Sequence, residues 1–160
     1  MNRYQITADI DATMWLGNLA HHKDLPNKIG YMELEQLFDS EDVYLPSRKK
    51  LENQLLKLKT NIKHEFLAYL RETADEIKFG MYILEVNLPL GNEAFVSQFG
   101  NVSTFVDGTF EVVMDMPVSR EDVYDIVSSA LDMAIDSVSI GTDNLSALNA
   151  VCLDVKKIGN

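Results

Sequence analysis

The histidine residues are the first candidates for chemistry, because imidazole is a common metal ligand and proton carrier. His21, His22 and Asp24 form the one cluster of metal-ligating residue types in the sequence. Adjacent histidines in a loop cannot easily face a single ion, and no cysteine or further histidine lies near them in sequence. His64 has no partner at HxxxH or HExxH spacing. The cluster is therefore interpreted as a solvated polar loop.

Paired carboxylates are the second candidates. Asp9 and Asp11 are two residues apart, hence about 7 Å apart on one face of a strand, and could hold a cation if a third ligand came from elsewhere. Glu111 and Asp115 point to the same side of a strand but lie about 13 Å apart, too far to share a proton or a single cation. A metal-dependent enzyme that uses Asp9, Asp11 and the histidine loop is the third functional hypothesis.

Signatures of nucleophilic and nucleotide-dependent enzymes are absent from the sequence. It contains no GxSxG motif, Walker loop or dinucleotide fingerprint. Cys152 lies in an apolar run, which is typical of a buried core thiol and not of a reactive one. The sequence therefore favours a protein that is not an enzyme, and no cofactor is expected.

The bulk composition predicts one soluble globular domain over residues 1–160. Apolar residues make up 46% and charged residues 24% of the chain, which is ordinary for such domains. A single cysteine cannot form an intramolecular disulfide, and neither a secretory leader nor a membrane-spanning apolar run occurs. We therefore expect a cytoplasmic protein without a membrane partner.

The acidic residues are concentrated in the second half of the chain. Between Phe79 and Val155 there are twelve acidic residues and one basic residue, Arg120, which leaves this segment at −11, the net charge of the whole chain. Phosphate and anionic lipid repel such a segment, so direct binding of nucleic acid or of a membrane is not expected. A basic surface on a partner protein is favoured.

The elements that must position these residues begin with a strand. Alternating apolar residues predict it over Arg3–Ile10. The pattern is then lost over Asp11–Lys28, where Met14–Leu19 predict a helical turn that packs Trp15 into the core. A short helix is expected over Tyr31–Phe38.

The middle of the chain predicts a long helix and two further strands. Ser47 is the expected N-cap of a helix that runs to about Ile77, either continuous or broken near Thr60-Asn61. A strand over Gly80–Leu88 follows, and residues 93–101 are expected to form a connection. Asp107-Gly108 predicts a two-residue hairpin turn, which would place Phe105 opposite Phe110 and continue to a strand that ends at Met116.

The last part of the chain predicts a second amphipathic helix that begins after Ser119, its N-cap, with Asp122 in the capping-box position. Val138 and Ile140 are compatible with a short strand. Ala147–Val155 is interpreted as a final strand because β-branched residues occur there, while a helical alternative stays open.

Together these elements predict an α+β fold with a mainly antiparallel sheet of about four to five strands. The long helix and the amphipathic helix are expected to pack on one face of the sheet. The other face is expected to carry Glu111, Asp115, Glu85 and Asp9.

The leading functional hypothesis is a non-enzymatic cytosolic interaction protein. It would be a small acidic inhibitor or adaptor that occupies a basic, nucleic-acid-binding surface of a partner, of the kind that phages and mobile elements encode. Its predicted partner-binding surface is centred on Glu111, Asp115, Asp122 and Asp125. The second hypothesis is a structural or assembly subunit that forms a homo-oligomer. In one version of it, the basic start of the long helix, Arg48 to Lys63, contacts the acidic half of another copy.

Overall fold

Two long antiparallel strands, Asn2–Asn18 (β1) and Asn101–Met116 (β5), form the centre of the sheet. The computed structural model describes residues 1–19, 26–36, 47–73, 82–142 and 144–159. Within these ranges the other elements are β2 (Lys28–Gly30), α1 (Tyr31–Gln36), α2 (Arg48–Thr73), β3 (Tyr82–Asn87), β4 (Glu93–Val96), α3 (Arg120–Gly141) and β6 (Leu145–Gly159). The α+β class is confirmed, with six strands in place of the expected four to five.

The sheet is antiparallel throughout its described part, in the order β2-β4-β5-β1-β6. β3 also pairs with β5. β1 occupies one edge of β5, and β3 and β4 occupy successive parts of the other edge. β1 pairs with β5 from Asn2 opposite Met116 to Asn18 opposite Asn101. This long register sets which side chains of the two strands become neighbours.

One face of the sheet is covered by α2 and α3, as predicted. Because the side-chain period of a strand is two, every second residue of β1 and β5 points into this covered face. The buried side chains include Tyr4, Ile6, Ile10, Met14, Val106, Phe110, Val112 and Met114 from the strands, and Leu55, Leu58, Ile62, Phe66, Val123, Val127 and Ala134 from the helices. The rings of Phe66 and Phe110 meet edge to face with centroids 4.9 Å apart.

The strand predicted over Arg3–Ile10 is present but continues to Asn18, so the expected helical turn is wrong. Trp15 does not enter the core, since its side chain is 45% exposed. The alternation persists through buried Ala12, Met14 and Leu16. β5 offers backbone partners along this whole length, which outweighs the local helical spacing of these apolar residues.

The hairpin predicted at Asp107-Gly108 is also wrong, because β5 runs through both residues without a turn. Asp107 lies opposite Asp11 and Gly108 opposite Ile10. Glycine is required there by a close approach of β3, since a Cβ atom at Gly108 would overlap the backbone carbonyl of Asn87.

The chain in fact reverses between β4 and β5, in the stretch 93–101 that was expected to be a connection. Ser97 Oγ accepts hydrogen bonds from the backbone N–H groups of Phe99 and Asn101, at 3.3 and 3.1 Å. Gly100 has a φ of 82°, which glycine adopts without steric cost. This turn aligns Val96 with Val102 and starts β5.

The helix caps are confirmed. Ser47 Oγ accepts a hydrogen bond from the Lys50 N–H at 3.3 Å, and Ser119 Oγ accepts one from the Asp122 N–H at 3.3 Å. α2 is continuous through Thr60, whose hydroxyl donates to the Leu56 carbonyl at 3.0 Å. The predicted end of this helix near Ile77, and the end of the Tyr31–Phe38 helix, lie outside the described residues.

The end of α3 differs from the prediction, because Val138 and Ile140 belong to the helix and not to a strand. Val138 is buried and extends the apolar stripe, while Ile140 is exposed. The final strand is confirmed in the form of β6, and the helical alternative is thereby excluded. Arg120 at the start of α3 is joined to this strand, since its Nε donates to the Val155 carbonyl at 2.7 Å.

Candidate functional site: the open face of the sheet

The face of the sheet opposite α2 and α3, which we call the open face, carries polar and aromatic side chains. They are the alternate residues of β1 and β5 that do not enter the core, together with their cross-strand neighbours. In the described part of the chain no helix packs against them. The chemistry of this face depends on strand register, because register decides which side chains lie side by side.

Six carboxylates dominate the open face, and we call them the acidic patch. Its members are Asp9, Asp11, Glu85, Asp107, Glu111 and Asp154. Asp11 lies directly opposite Asp107, and Glu85 lies directly opposite Glu111. Thr7 pairs with Glu111 on one side and with Asp154 on the other, so these two carboxylates flank it.

The two direct carboxylate pairs are electrostatically unfavourable. Side chains directly opposite in an antiparallel pair have Cβ atoms about 4.5–5.5 Å apart, and like charges at that spacing destabilise a sheet. Within the described ranges, no member of the acidic patch forms an ion pair. Glu111 Oε1 accepts a hydrogen bond from Gln5 Nε2 at 2.8 Å.

Cations on this face lie mainly beside other carboxylates. Arg3 donates to both oxygens of Asp115, at 2.8 and 3.2 Å. This hydrogen bond, together with the charge of Arg3, lowers the pKa of Asp115. Lys28 pairs with Glu93 at 3.0 Å. Asp115 and Glu93 therefore each have a paired cation, whereas the carboxylates of the acidic patch have none among the described residues.

Three exposed aromatic rings, Trp15, Phe95 and Phe105, form an aromatic patch at the end of the open face nearest the β4–β5 turn. Their exposed fractions are 45%, 41% and 45%. Ser103 pairs with Trp15 on one side and with Phe95 on the other. Phe105 is two residues further along β5, which makes it a diagonal neighbour of both rings.

A groove connects the two patches. It is formed by β5, the start of β4 and the chain segment before β4, and it has a volume of about 470 Å³. Its lining residues include Phe95, Phe105, Glu93 and Asp107. Aromatic rings and carboxylates thus share one concave surface.

The four residues predicted to form the partner-binding surface are divided between the two sides of the sheet. Glu111 and Asp115 lie on the open face, four residues apart on β5. Asp122 and Asp125 are exposed on α3, in the helical layer that packs on the covered face. Glu111 and Asp115 therefore share one face, and Asp122 and Asp125 lie apart from them. The reason is that the even-numbered residues of β5 face the helical layer, whereas Glu111 and Asp115 are odd-numbered.

Glu85, Asp9, Glu111 and Asp115 were predicted to lie on this face, and the structure agrees. Asp107 and the aromatic residues were not predicted to lie on this surface. Asp107 and Phe105 have the same odd-numbered parity on β5 as Glu111, so an unbroken alternation was the signal that could have identified them.

The described part of the chain contains no cluster of potential metal ligands. No group of three or more His, Cys, Asp or Glu side chains there could hold an ion, and His21, His22 and Asp24 lie outside it. The expectation that Cys152 is a core thiol is wrong, since its side chain is exposed.

Comparison of the chain with protein-family models and with curated proteins gave no match. Among the described helices, none combines the length and apolar character needed to cross a bilayer.

Proposed function

We propose that the protein is a non-enzymatic inhibitor or adaptor whose open face binds a basic surface of a partner protein. One observation carries this proposal: the acidic patch holds six carboxylates that form no ion pair with any described residue, and four of them are in direct cross-strand opposition. Such repulsion costs stability within the monomer. Residues that violate a local rule of stability are expected at functional sites.

A cationic partner removes this cost. Lysine or arginine side chains placed over Asp11 and Asp107, or over Glu85 and Glu111, convert repulsion into attraction. The carboxylates are fixed on paired strands, so little side-chain and backbone ordering is required on binding. A concentrated negative field also accelerates encounter with a positive surface.

The partner surface that fits best is one that binds nucleic acid. Such surfaces are arrays of lysine and arginine that contact successive phosphates. Asp9 and Asp11, two residues apart on β1, place two negative charges about 7 Å apart along the strand. Occupation of the partner by the open face would exclude nucleic acid, which is the inhibitor form of the proposal, acting in the cytosol.

The experiment compares two charge-matched variants as bait for basic proteins in an extract of the native host. The open-face variant is Asp9→Asn, Asp11→Asn, Asp107→Asn and Glu111→Gln. The helix variant is Asp122→Asn, Asp125→Asn, Asp132→Asn and Asp136→Asn, all exposed positions on α3. Both changes remove four negative charges, so a difference between them reports location and not net charge.

We expect the parent and the helix variant to retain the same basic protein, and the open-face variant to lose it. The association rate of the purified partner should fall at least tenfold for the open-face variant at low salt, with a flatter salt dependence. Added nucleic acid should compete for the partner. Equal retention by the two variants, or no loss of binding at high salt, would show that the acidic patch is not the site.

Homo-oligomerisation is the alternative, and the described geometry gives it less support. β6 is an edge strand, but its register against β1 shifts at three places, and it carries Lys156 and Lys157. Irregular, charged edges oppose pairing with a second sheet. At the start of α2, Arg48 already pairs with Glu52 at 3.5 Å and lies over the Tyr31 ring. A salt-sensitive dimer in analytical ultracentrifugation would favour this alternative.

A further inference from the structure

The groove between the aromatic and acidic patches combines aromatic residues with carboxylates, which the acidic patch alone does not. Phe95 and Phe105 line it and are partly exposed, and Asp107 and Glu93 also line it. Glu93 is already paired with Lys28, whereas Asp107 has no ion pair within the described ranges. The groove therefore combines flat apolar surfaces with one carboxylate that is not paired with a cation among the described residues.

We propose that this groove binds an arginine side chain of the basic partner, stacked on the phenylalanine rings and paired with Asp107. The inference deepens the proposed function, because it rests on a basic partner and specifies the side chain that the groove recognises. It makes the open face selective for arginine-rich over lysine-rich surfaces.

Arginine fits the groove for two reasons. Its guanidinium group is planar and weakly hydrated, so it stacks on an aromatic face while its edge donates two parallel hydrogen bonds to a carboxylate. The ammonium group of lysine is a compact, strongly hydrated point charge that cannot do both. The apolar stem of arginine can also cover the exposed edges of the rings.

The walls of the groove are held in place by close contacts. A Cβ atom at Gly91 would lie 2.5 Å from the Phe105 carbonyl oxygen, so the segment before β4 lies directly against β5. The buried Thr104 hydroxyl donates to the Glu93 carbonyl at 2.8 Å and ties β5 to the start of β4. The backbone positions that carry the rings and Asp107 are thus set before any ligand arrives, which lowers the entropic cost of binding.

The test uses two fluorescent peptides of equal length and charge, nona-arginine and nona-lysine, titrated with the full chain at low salt. Nona-arginine should bind about fivefold more tightly, since one to two stacking contacts at an exposed site contribute about 1 kcal/mol. The double variant Phe95→Leu with Phe105→Leu should bind both peptides equally, at the affinity of the parent for nona-lysine. Leucine keeps the apolar character of the sites and removes only the ring faces.

Two controls separate the possible outcomes. Phe99→Leu changes an exposed ring in the β4–β5 turn that does not line the groove, and it should leave the preference unchanged. Asp107→Asn should weaken nona-arginine more than Asp9→Asn does. If both peptides bind equally to the parent, the arginine inference is overturned while the proposed function stands. If neither peptide binds, the proposed function fails as well.

Discussion

The two faces of the sheet are built from the same strands and have opposite physical chemistry. On the covered face β1 and β5 contribute aliphatic and aromatic side chains that pack against α2 and α3. On the open face the intervening residues of the same strands are mostly charged or polar, with exposed aromatic residues at one end. The covered face accounts for the stability of the fold, which leaves the open face free to hold an arrangement that costs stability.

Phe105 and Phe110 illustrate the difference within a single strand. Phe110 is fully buried and contacts Phe66, whereas Phe105 is exposed beside Asp107 in the groove. The two residues have the same side chain, so residue type does not explain their roles. An odd spacing of five places them on opposite sides of β5.

The largest expected effect tests this pair. Phe110→Ala should lower the free energy of unfolding by about 3–5 kcal/mol, because it removes a buried ring and leaves a cavity. Phe105→Ala should change it by less than about 1 kcal/mol. Urea unfolding of both variants measures the difference. Similar losses in the two variants would contradict the assignment of Phe105 to an exposed surface.

The next effect concerns β5, whose alternate residues form both faces of the sheet. Gly108→Ala should cost about 1–3 kcal/mol, because the new Cβ atom overlaps the Asn87 carbonyl and displaces β3. The matched control is Gly141→Ala at the end of α3, where nothing lies within 4 Å of the added atom. There we expect no loss, or a gain of up to about 1 kcal/mol from helix propensity. Thermal melts that rank the two variants in the reverse order would contradict the close approach at Gly108.

A smaller effect is expected in the helical layer that creates the covered face. Ser119→Ala should cost about 1 kcal/mol, because the Asp122 N–H loses its acceptor. Ser129→Ala on the exposed side of the same helix should instead be neutral or stabilise by about 0.5 kcal/mol. Chemical denaturation distinguishes the two, and a matching loss at Ser129 would mean that general helix effects explain the cost.

The smallest effect has the opposite sign and belongs to the open face. The double variant Asp11→Asn with Asp107→Asn should raise the free energy of unfolding by about 0.2–1 kcal/mol at low salt, since it removes a direct repulsion. The gain should shrink in high salt as the charges are screened. Asp9→Asn is the control, because Asp9 lies opposite Thr109 and Val151. A loss of stability in the double variant would show that the carboxylates are not in repulsive contact.

Much of the fold follows from local pattern. Alternation predicted one strand that begins at Arg3 and another that ends at Met116. The caps at Ser47 and Ser119 were predicted from residue type and position. The errors fall where a local signal competed with strand pairing. Asp107-Gly108 has the composition of a hairpin turn, and Met14–Leu19 has helical spacing, but both segments are held in long paired strands.

The candidate site was predictable only in part, for a related reason. Local alternation places Glu111 and Asp115 on one side of β5, but it does not say which strand lies beside them or which face α3 covers. Those facts depend on pairing between distant parts of the chain, such as Asp11 with Asp107. Asp122 and Asp125 were grouped with the strand acids because they start a neighbouring helix, although α3 places them on the other side.

The sequence by itself determined the excess of negative charge, the parity of burial along each strand, and the helix starts. These are properties of composition and of neighbouring residues, whose periodicity and capping chemistry act over a few positions. Only the tertiary structure decided that the carboxylates of the acidic patch come together without an ion pair among the described residues. It also decided that a groove lined by Phe95, Phe105 and Asp107 joins them to an aromatic patch. Register and strand order are set by long-range backbone pairing and by burial of a shared core, which no local window of residues contains.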